Sequence, residues 1–168
     1  MTIRVLIADD HAVVRAGLRT LIAGEPGMDL VGEATGGQEA LALAGALCPD
    51  VAVLDLSMPD LDGLEATQRI KREHPEVRIL ILTVHEDEAL VREAIRAGAS
   101  GYIIKHAAEA ELISAIHTVQ IGEIYVQGPS TCHAYVGSVP PAATAVRDGW
   151  LSVGDLGTLD ADGYLSIA

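Results

Sequence analysis

The sequence predicts an α/β fold built on a doubly wound parallel sheet, and three observations support this prediction. Strand-like and helix-like segments alternate five times over roughly the first 120 residues. Two apolar runs, 3–8 and 51–55, are continuous in hydrophobicity, which is typical of strands buried on both faces of a sheet. Asp9 directly follows the first run and Asp55 ends the second, and open α/β sheets place their chemistry at the carboxyl ends of their strands. We therefore expect five parallel strands with helices on both faces.

The individual elements follow from the spacing of apolar residues and from stop signals. The predicted strands are Ile3–Ala8, Met28–Ala34, Val51–Asp55, Arg78–Thr83 and Gly101–Ile104. Between them, apolar residues recur at the spacing of three or four that defines one face of a helix. The predicted helices are His11–Gly24, Gln38–Leu47, Leu64–His74, Asp87–Ala97 and Ala108–Val119. Glycine or proline closes most of them, as expected at helix ends.

Composition excludes several classes of function. The chain has 168 residues and a formal net charge of −13, which disfavours binding to nucleic acid or to anionic membranes. No apolar run is long enough to span a bilayer, and the N-terminus lacks a secretion signal, so we expect a soluble, cytoplasmic protein without membrane association. Cys48 and Cys132 lack any metal-binding spacing, and we expect two free thiols.

The predicted strand ends gather a set of polar residues at one edge of the sheet. They are Asp9, Asp10, Asp55, Thr83 and Lys105. Three neighbouring carboxylates repel each other unless a cation joins them, and hard oxygen ligands of this kind favour Mg²⁺. Each residue type also has an ordinary interpretation, because an Asp-Asp pair can cap a helix, a lysine can be solvated, and threonine favours strands. Their joint occurrence at matching strand ends favours a functional site.

Three motifs resemble a known family. Val5–His11, Asp55–Pro59 and Gly98–Lys105 are similar to the receiver domains of two-component response regulators, most of all the LuxR/NarL class. The resemblance covers residues 3–121 and implies the flavodoxin-like, CheY-like arrangement of a receiver, so we place a receiver domain at 1–121. It further implies a signalling phosphoprotein, not an enzyme, with phosphoryl acceptance and slow autodephosphorylation as its only chemistry. The implied partners are a cognate histidine kinase and, on phosphorylation, a second copy of the chain.

The resemblance also assigns roles to the residues at the strand ends. Asp55 is the implied phosphoacceptor. Asp10, Asp55 and the backbone carbonyl of Ser57 are the implied Mg²⁺ ligands, with Asp9 acting through a water molecule. These roles agree with the chemistry, because a carboxylate that attacks phosphorus needs its own charge and the phosphoryl charge offset.

The remaining implied roles concern phosphoryl contact and switching. Thr83 and Lys105 would contact the phosphoryl group, and Lys105 supplies a positive charge there. Tyr102 matches an aromatic position that turns inward when Thr83 is drawn to the phosphate, although a plain core aromatic is the alternative interpretation. His11, beside the acidic pair, is an alternative metal ligand, but its place in a first helical turn favours a surface role.

The segment 122–168 departs from the pattern of that class, which continues into a basic helix-turn-helix domain. Helical periodicity is absent, and Gly- and Asp-rich turns predict a β-hairpin-rich tail with a hairpin around residues 160–163. This tail resembles the end of the large domain of adenylate-forming acyl-CoA synthetases. There, the residue matching Asp155 binds ribose, while Val153 stands where that family has threonine. The phosphate loop and catalytic lysine of that family are absent from the sequence.

Several functions are therefore open at this stage. The leading one is a Mg²⁺-dependent phosphoacceptor receiver. The alternatives are an inactive remnant or fusion of an adenylate-forming enzyme joined near Gly122–Tyr125, a transcription regulator without its DNA-binding domain, and an interaction module whose tail covers the switch surface. Because residues 121–168 carry one basic and five acidic side chains, we expect no DNA binding from this chain.

Overall fold

The computed structural model describes residues 2–122, together with the backbone of five short strands at 125–126, 144–147, 150–153, 157–159 and 165–167. The first five strands are β1 (Ile3–Ala8), β2 (Met28–Ala34), β3 (Val51–Asp55), β4 (Arg78–Thr83) and β5 (Gly101–Ile104). The helices are α1 (Ala12–Ala23), α2 (Gly37–Leu47), α3 (Gly63–Glu73), α4 (Glu88–Arg96) and α5 (Ala108–Gln120). These bounds confirm the predicted strands and agree with the predicted helices to within one residue at each end.

The main sheet is parallel throughout, with the strand order β2-β1-β3-β4-β5. This is the doubly wound, five-stranded sheet expected from the sequence. A two-residue strand, β6 (Tyr125–Val126), extends it by pairing in parallel with β5, which the sequence did not predict. The later strands form two antiparallel pairs, β7 (Thr144–Arg147) with β8 (Trp150–Val153), and β9 (Gly157–Leu159) with β10 (Leu165–Ile167).

The core has two layers because residues of the central strands alternate between the two faces of the sheet. Helices α1 and α5 cover one face with the buried side chains Leu18, Ile22, Leu112, Ile116 and Val119. Helices α2, α3 and α4 cover the other with Ala40, Ala44, Ala66, Ile70 and Ala94. Every residue of β3 is buried, which explains why its sequence is continuously apolar up to Asp55.

The loop that follows Asp55 is fixed to a neighbouring helix by Asp60. The Asp60 carboxylate accepts the backbone N–H groups of Gly37 at 2.9 Å and Gln38 at 3.1 Å, and so caps α2 from 22 or 23 residues away. The hydrogen bond from the Gln38 backbone is the main reason that the pKa of Asp60 is lowered. A Cβ atom on Gly37 would lie 2.1 Å from the backbone oxygen of Leu61, so the close approach of this loop to α2 requires glycine there.

The other end of the same loop is equally constrained. Asp62 caps α3 by accepting the backbone N–H of Glu65 at 2.8 Å. A Cβ atom on Gly63 would lie 2.3 Å from the backbone oxygen of Asp55, so the first helical residue must be glycine. The backbone around Asp55 is therefore held between a buried strand and two capped helices.

Candidate functional site

Two neighbouring strands bring the acidic residues together. The register of β1 and β3 pairs Ala8 with Leu54, so the residues that follow, Asp9 and Asp55, lie side by side at the carboxyl edge of the sheet. Asp9 is fully buried and Asp55 is 2% exposed, which is unusual for carboxylates without partners. Asp10 lies at the rim with 34% of its side chain exposed. The three acidic residues predicted from the sequence thus lie in one pocket.

Lys105 provides the positive charge within this pocket. It follows β5 directly, as the first residue of a short 3₁₀ turn, and its side chain is 14% exposed. Its Nζ atom lies 2.7 Å from Asp9 Oδ2 and 2.8 Å from Asp55 Oδ2. Burial lowers the pKa of Lys105, but the hydrogen bonds to Asp55 and Asp9 outweigh it and leave the pKa raised. The lysine is therefore held charged between two buried carboxylates.

Asp55 is the carboxylate whose ionisation the fold makes costly. Burial is the largest influence on its pKa and raises it, while the hydrogen bond from Lys105 acts in the opposite direction without cancelling the rise. The nearby charge of Asp9 adds to the rise, and the N–H of Ser57 at 3.3 Å from Asp55 Oδ1 offsets a little of it. A desolvated carboxylate of this kind is more nucleophilic than a hydrated one and binds cations more strongly.

The pocket also suits a divalent metal ion. Ligand atoms of Asp9, Asp10, His11 and Asp55 all lie within 4.8 Å of one another. Among the described residues, the Lys105 ammonium at 2.7 Å is the one partner of the buried Asp9 Oδ2. Carboxylate oxygens in this number and proximity fit Mg²⁺. The backbone carbonyl of Ser57 stays a predicted ligand.

The Asp9-Asp10 pair does not cap the following helix, which was its alternative interpretation. Helix α1 starts after His11, and no side chain caps it. Instead, Asp9 Oδ1 accepts the backbone N–H of His11 at 2.8 Å, and the Arg15 guanidinium donates to the Asp9 backbone oxygen at 2.7 Å. These contacts fix the direction of the Asp9 carboxylate, which leaves Asp9 and Asp10 available to the pocket.

Thr83 and Tyr102 meet at the backbone of one residue, His85. The Thr83 hydroxyl, at the buried end of β4, accepts the His85 N–H at 3.1 Å. The Tyr102 hydroxyl donates to the His85 carbonyl at 2.9 Å, and Tyr102 is fully buried. The His85 imidazole lies 3.5 Å from the Ser57 hydroxyl, over the loop that follows Asp55. The two predicted switch residues are therefore linked through a segment that reaches the acidic pocket.

Two contributors to the pocket, Arg15 and His85, were not identified from the sequence. His11 was weighed as a metal ligand but favoured as a surface residue; its side chain is 63% exposed, and its ring contacts Asp9 and Asp10. Arg15 and His85 act through hydrogen bonds with backbone atoms, for which the residue type gives no specific signal. The Asp62-Gly63-Leu64-Glu65 sequence, in contrast, carries a readable cap, since Asp followed by Glu three residues later is a capping pattern.

A family model for the response regulator receiver domain matches residues 5–117. This match covers more than half of the chain, so the chain belongs to the response regulator receiver family, a class of signalling domains. The fold, with its order β2-β1-β3-β4-β5 and its acidic edge, is the CheY-like receiver fold. No helix in the described part of the chain combines the length and apolar character needed to cross a membrane.

Similar curated proteins point to the same class. The response regulator GacA of Pseudomonas viridiflava is 41% identical over 124 residues, covering 74% of this chain and 58% of GacA. The response regulator UvrY of Escherichia coli K12 is 39% identical over 142 residues, covering 84% of this chain and 65% of UvrY. The chain thus spans about three fifths of the length of these relatives. The similarity to UvrY is longer than the 121 residues of the predicted receiver, so it continues into the tail.

Solved structures agree with this assignment. The signal receiver domain of NarL from Mycobacterium tuberculosis has a TM-score of 0.70 at 32% identity, covering 72% of this chain and 98% of that one. The isolated receiver domain of RcsB from Salmonella enterica, solved in the presence of the phosphomimetic BeF₃⁻, has a TM-score of 0.70 at 28% identity. It covers 76% of this chain and 94% of the RcsB chain.

Proposed function

We propose that this chain accepts a phosphoryl group on Asp55 from the phosphohistidine of a histidine kinase. The main support is the position of Lys105, whose ammonium bridges the buried carboxylates of Asp9 and Asp55 at 2.7 and 2.8 Å. Membership of the receiver family makes this the expected role of an aspartate at the end of β3. The RcsB receiver, whose structure was solved with a phosphomimetic, supports the same assignment.

In the proposed reaction, a carboxylate oxygen of Asp55 forms a bond to phosphorus while the phosphorus–nitrogen bond of the donor histidine breaks. Asp55 needs no general base, because the nucleophile is a carboxylate with no proton to remove in the attack. Lys105 offsets the negative charge of the phosphoryl oxygens, and the fixed loop after Asp55 holds the nucleophile in line. A Mg²⁺ ion held by Asp10, Asp55 and the Ser57 carbonyl, with Asp9 acting through water, would supply further positive charge to the same oxygens.

The proposed switch uses the contacts at His85. If the Thr83 hydroxyl turns to the phosphoryl group, it gives up the His85 N–H that it now accepts at 3.1 Å. The His85 backbone also holds the Tyr102 hydroxyl, so the β4–α4 loop and Tyr102 would respond together. A change of charge at Asp55 would thereby alter the surface near α4, where a second copy of the chain could bind. Slow hydrolysis of the phosphoryl group and a cytoplasmic location belong to the same proposal.

Calorimetry with beryllofluoride tests this function without a kinase. We expect saturable binding that requires both Mg²⁺ and Asp55, because the analogue occupies the place of a phosphoryl group on the carboxylate. Asp55→Asn should abolish this binding. Asp29→Asn should retain it, since Asp29 is an exposed carboxylate at the N-terminal end of β2, away from the acidic pocket at the carboxyl edge of the sheet. Equal binding to Asp55→Asn would refute the assignment.

The origin of the tail is a separate proposal that rests on the sequence alone. We infer that 122–168 is an inactive segment similar to the end of the large domain of adenylate-forming enzymes, joined near Gly122–Tyr125. Asp155, the residue expected to bind ribose, lies outside the described residues. The long similarity to UvrY argues for a continuous regulator instead. Sequencing the source genome across codons 118–130 decides between a fusion and a continuous regulator. The fusion is refuted if homologous full-length proteins run through this junction unbroken.

A further inference from the structure

Lys71, in the last turn of α3, is one of the two lysines in the chain. Its Nζ atom donates to the backbone oxygen of Pro75 and, at 3.0 Å, to that of Val77. The stem of the side chain packs against the turn before β5, where a Cβ atom on Gly98 would lie 3.0 Å from Lys71 Cγ. The amine is therefore held in one place, between the end of α3 and the start of β4.

Lys71 and Lys105 have opposite surroundings. Lys105 lies between two carboxylates, which raise its pKa. The hydrogen-bond acceptors of Lys71 are carbonyl oxygens, which supply no counter-charge. Burial is the main reason that the pKa of Lys71 is lowered; the charge of Arg78 adds to this effect, and Glu76 opposes it without cancelling it. The fold thus shifts Lys71 towards its neutral form.

A neutral amine can occupy this position without losing a contact. It keeps two N–H groups, one for each of the two carbonyl oxygens, and its lone pair then points away from both. The side chain of Lys71 is partly exposed, so a small reagent can reach the nitrogen. A fixed amine with an available lone pair is a nucleophile for acyl groups.

We propose that Lys71 accepts an acyl group from a small acyl phosphate. In this reaction, Nζ forms a bond to the acyl carbon, the bond from that carbon to the phosphate oxygen breaks, phosphate leaves, and the amine proton passes to water. The charge of Arg78 suits this donor, because a cation near the amine disfavours the ammonium form and also attracts the anionic phosphate. The amide product has one N–H, so either Pro75 or Val77 loses its donor, at the turn that leads into β4.

The test uses acetyl phosphate, in a metal chelator, on the full chain. Omitting Mg²⁺ separates this reaction from the proposed phosphorylation of Asp55. We expect peptide mapping to show that Lys71 is acetylated about tenfold or more faster than Lys105, since each unit of pKa corresponds to a tenfold change in the fraction of neutral amine. In urea, where the fold is lost, the two lysines should react at similar rates.

Substitutions identify the groups responsible. Lys71→Arg keeps donors for both carbonyl oxygens and removes the nucleophile, so the fast acetylation should be lost. Arg78→Met should slow acetylation of Lys71 by about threefold, because it removes a charge that disfavours the ammonium and attracts the donor. Arg92→Met is the matched control, since Arg92 lies on α4 with Glu88 at 3.9 Å. Its rate should equal that of the unsubstituted chain.

Three results would overturn the proposal. One is an equal rate at Lys71 and Lys105 in the folded chain, or no acetyl group on Lys71 at all. Another is a preference for Lys71 that persists in urea, because the local sequence and not the fold would then cause it. The third is an unchanged rate in Arg78→Met, which would contradict the choice of an acyl phosphate as donor. None of these results bears on Asp55, which the beryllofluoride titration tests separately.

Discussion

Lys105 lies 2.8 Å from Asp55, and the same ammonium lies 2.7 Å from Asp9, so one cation holds two buried carboxylates. In sequence, Lys105 is 50 positions from Asp55 and 96 positions from Asp9, and the three residues follow or end three different strands. Removing the lysine would leave two uncompensated negative charges in a desolvated pocket, and removing an acid would relieve repulsion. The stability of the fold and the chemistry of the site are therefore coupled here, which gives predictions of opposite sign.

Replacing Lys105 by Met should destabilise the fold by about 2–4 kcal/mol at pH 7, because it leaves two buried carboxylates without a counter-charge. The pKa of Lys105 is raised, so its stabilising effect is complete below its ordinary pKa of 10.5 and is lost as the pH rises through the folded value. The stability gap between the unsubstituted chain and Lys105→Met should therefore narrow above about pH 10.5. Urea unfolding across this range measures the gap.

Lys71→Met is the matched control for that experiment. Lys71 is also partly buried, but it donates to the backbone oxygens of Pro75 and Val77, not to carboxylates. Burial lowers the pKa of Lys71, so the folded state disfavours its charged form. This unfavourable contribution to stability disappears as the pH rises and Lys71 loses its proton, which is the reverse of the effect at Lys105. If the stability gap to the unsubstituted chain changes with pH in the same way for Lys71→Met and Lys105→Met, this would contradict the ion pairs of Lys105 with Asp9 and Asp55.

Asp55→Asn should stabilise the metal-free protein at pH 7, by roughly 1 kcal/mol. Burial raises the pKa of Asp55, so the folded state favours the protonated form, and this favourable contribution is lost as the pH rises through the folded pKa. The stability that Asp55→Asn gains over the unsubstituted chain should accordingly shrink below about pH 4, where Asp55 is protonated in both the folded and the unfolded state.

Thermal unfolding in a metal chelator, at pH 7 and at low pH, checks the Asp55 prediction. Asp29→Asn controls for the change in net charge, since Asp29 is exposed and distant from the pocket. A destabilised Asp55→Asn would mean that the ion pair with Lys105 outweighs the cost of burial, contrary to the direction of the pKa.

Thr83 and Tyr102 should be energetically coupled through His85. Tyr102→Phe removes the donor to the His85 carbonyl and should cost about 1 kcal/mol, and Thr83→Val removes the acceptor of the His85 N–H at a similar cost. If the His85 backbone links them, a double-mutant cycle should give a coupling energy of about 0.5 kcal/mol or more. Strict additivity would show that the two hydroxyl groups act independently.

The tail should be dispensable for the chemistry of the receiver. The family match ends at residue 117, and residues 121–168 carry one basic and five acidic side chains. Truncation after Ile121 should therefore retain phosphorylation of Asp55, and the intact chain should bind neither DNA nor ATP at micromolar concentration. Loss of phosphorylation, or DNA or ATP binding that vanishes on truncation, would show a function in the tail.

The sequence predicted the sheet and the acidic pocket because local patterns specify both. The buried strand Val51–Asp55 is apolar throughout, and parallel strands bring their carboxyl ends to one edge, so Asp9, Asp55 and Lys105 had to lie near each other.

Other contacts could not be predicted because they join positions without a local pattern. Asp60 caps α2 from 22 or 23 residues away, and the link between Thr83 and Tyr102 uses backbone atoms of His85. The contact of the His11 ring with Asp9 and Asp10 depends on the exact start of α1, where a shift of one residue changes the direction of the side chain. Such contacts can be identified only from the three-dimensional structure.

The most direct test of the central claim is the intact mass of the chain after incubation with acetyl phosphate and Mg²⁺. We predict the added mass of one phosphoryl group on the unsubstituted chain and on Asp29→Asn, its absence from Asp55→Asn, and its absence when Mg²⁺ is omitted. The added mass on Asp55→Asn at the level of the unsubstituted chain would contradict the assignment of Asp55 as the phosphoacceptor.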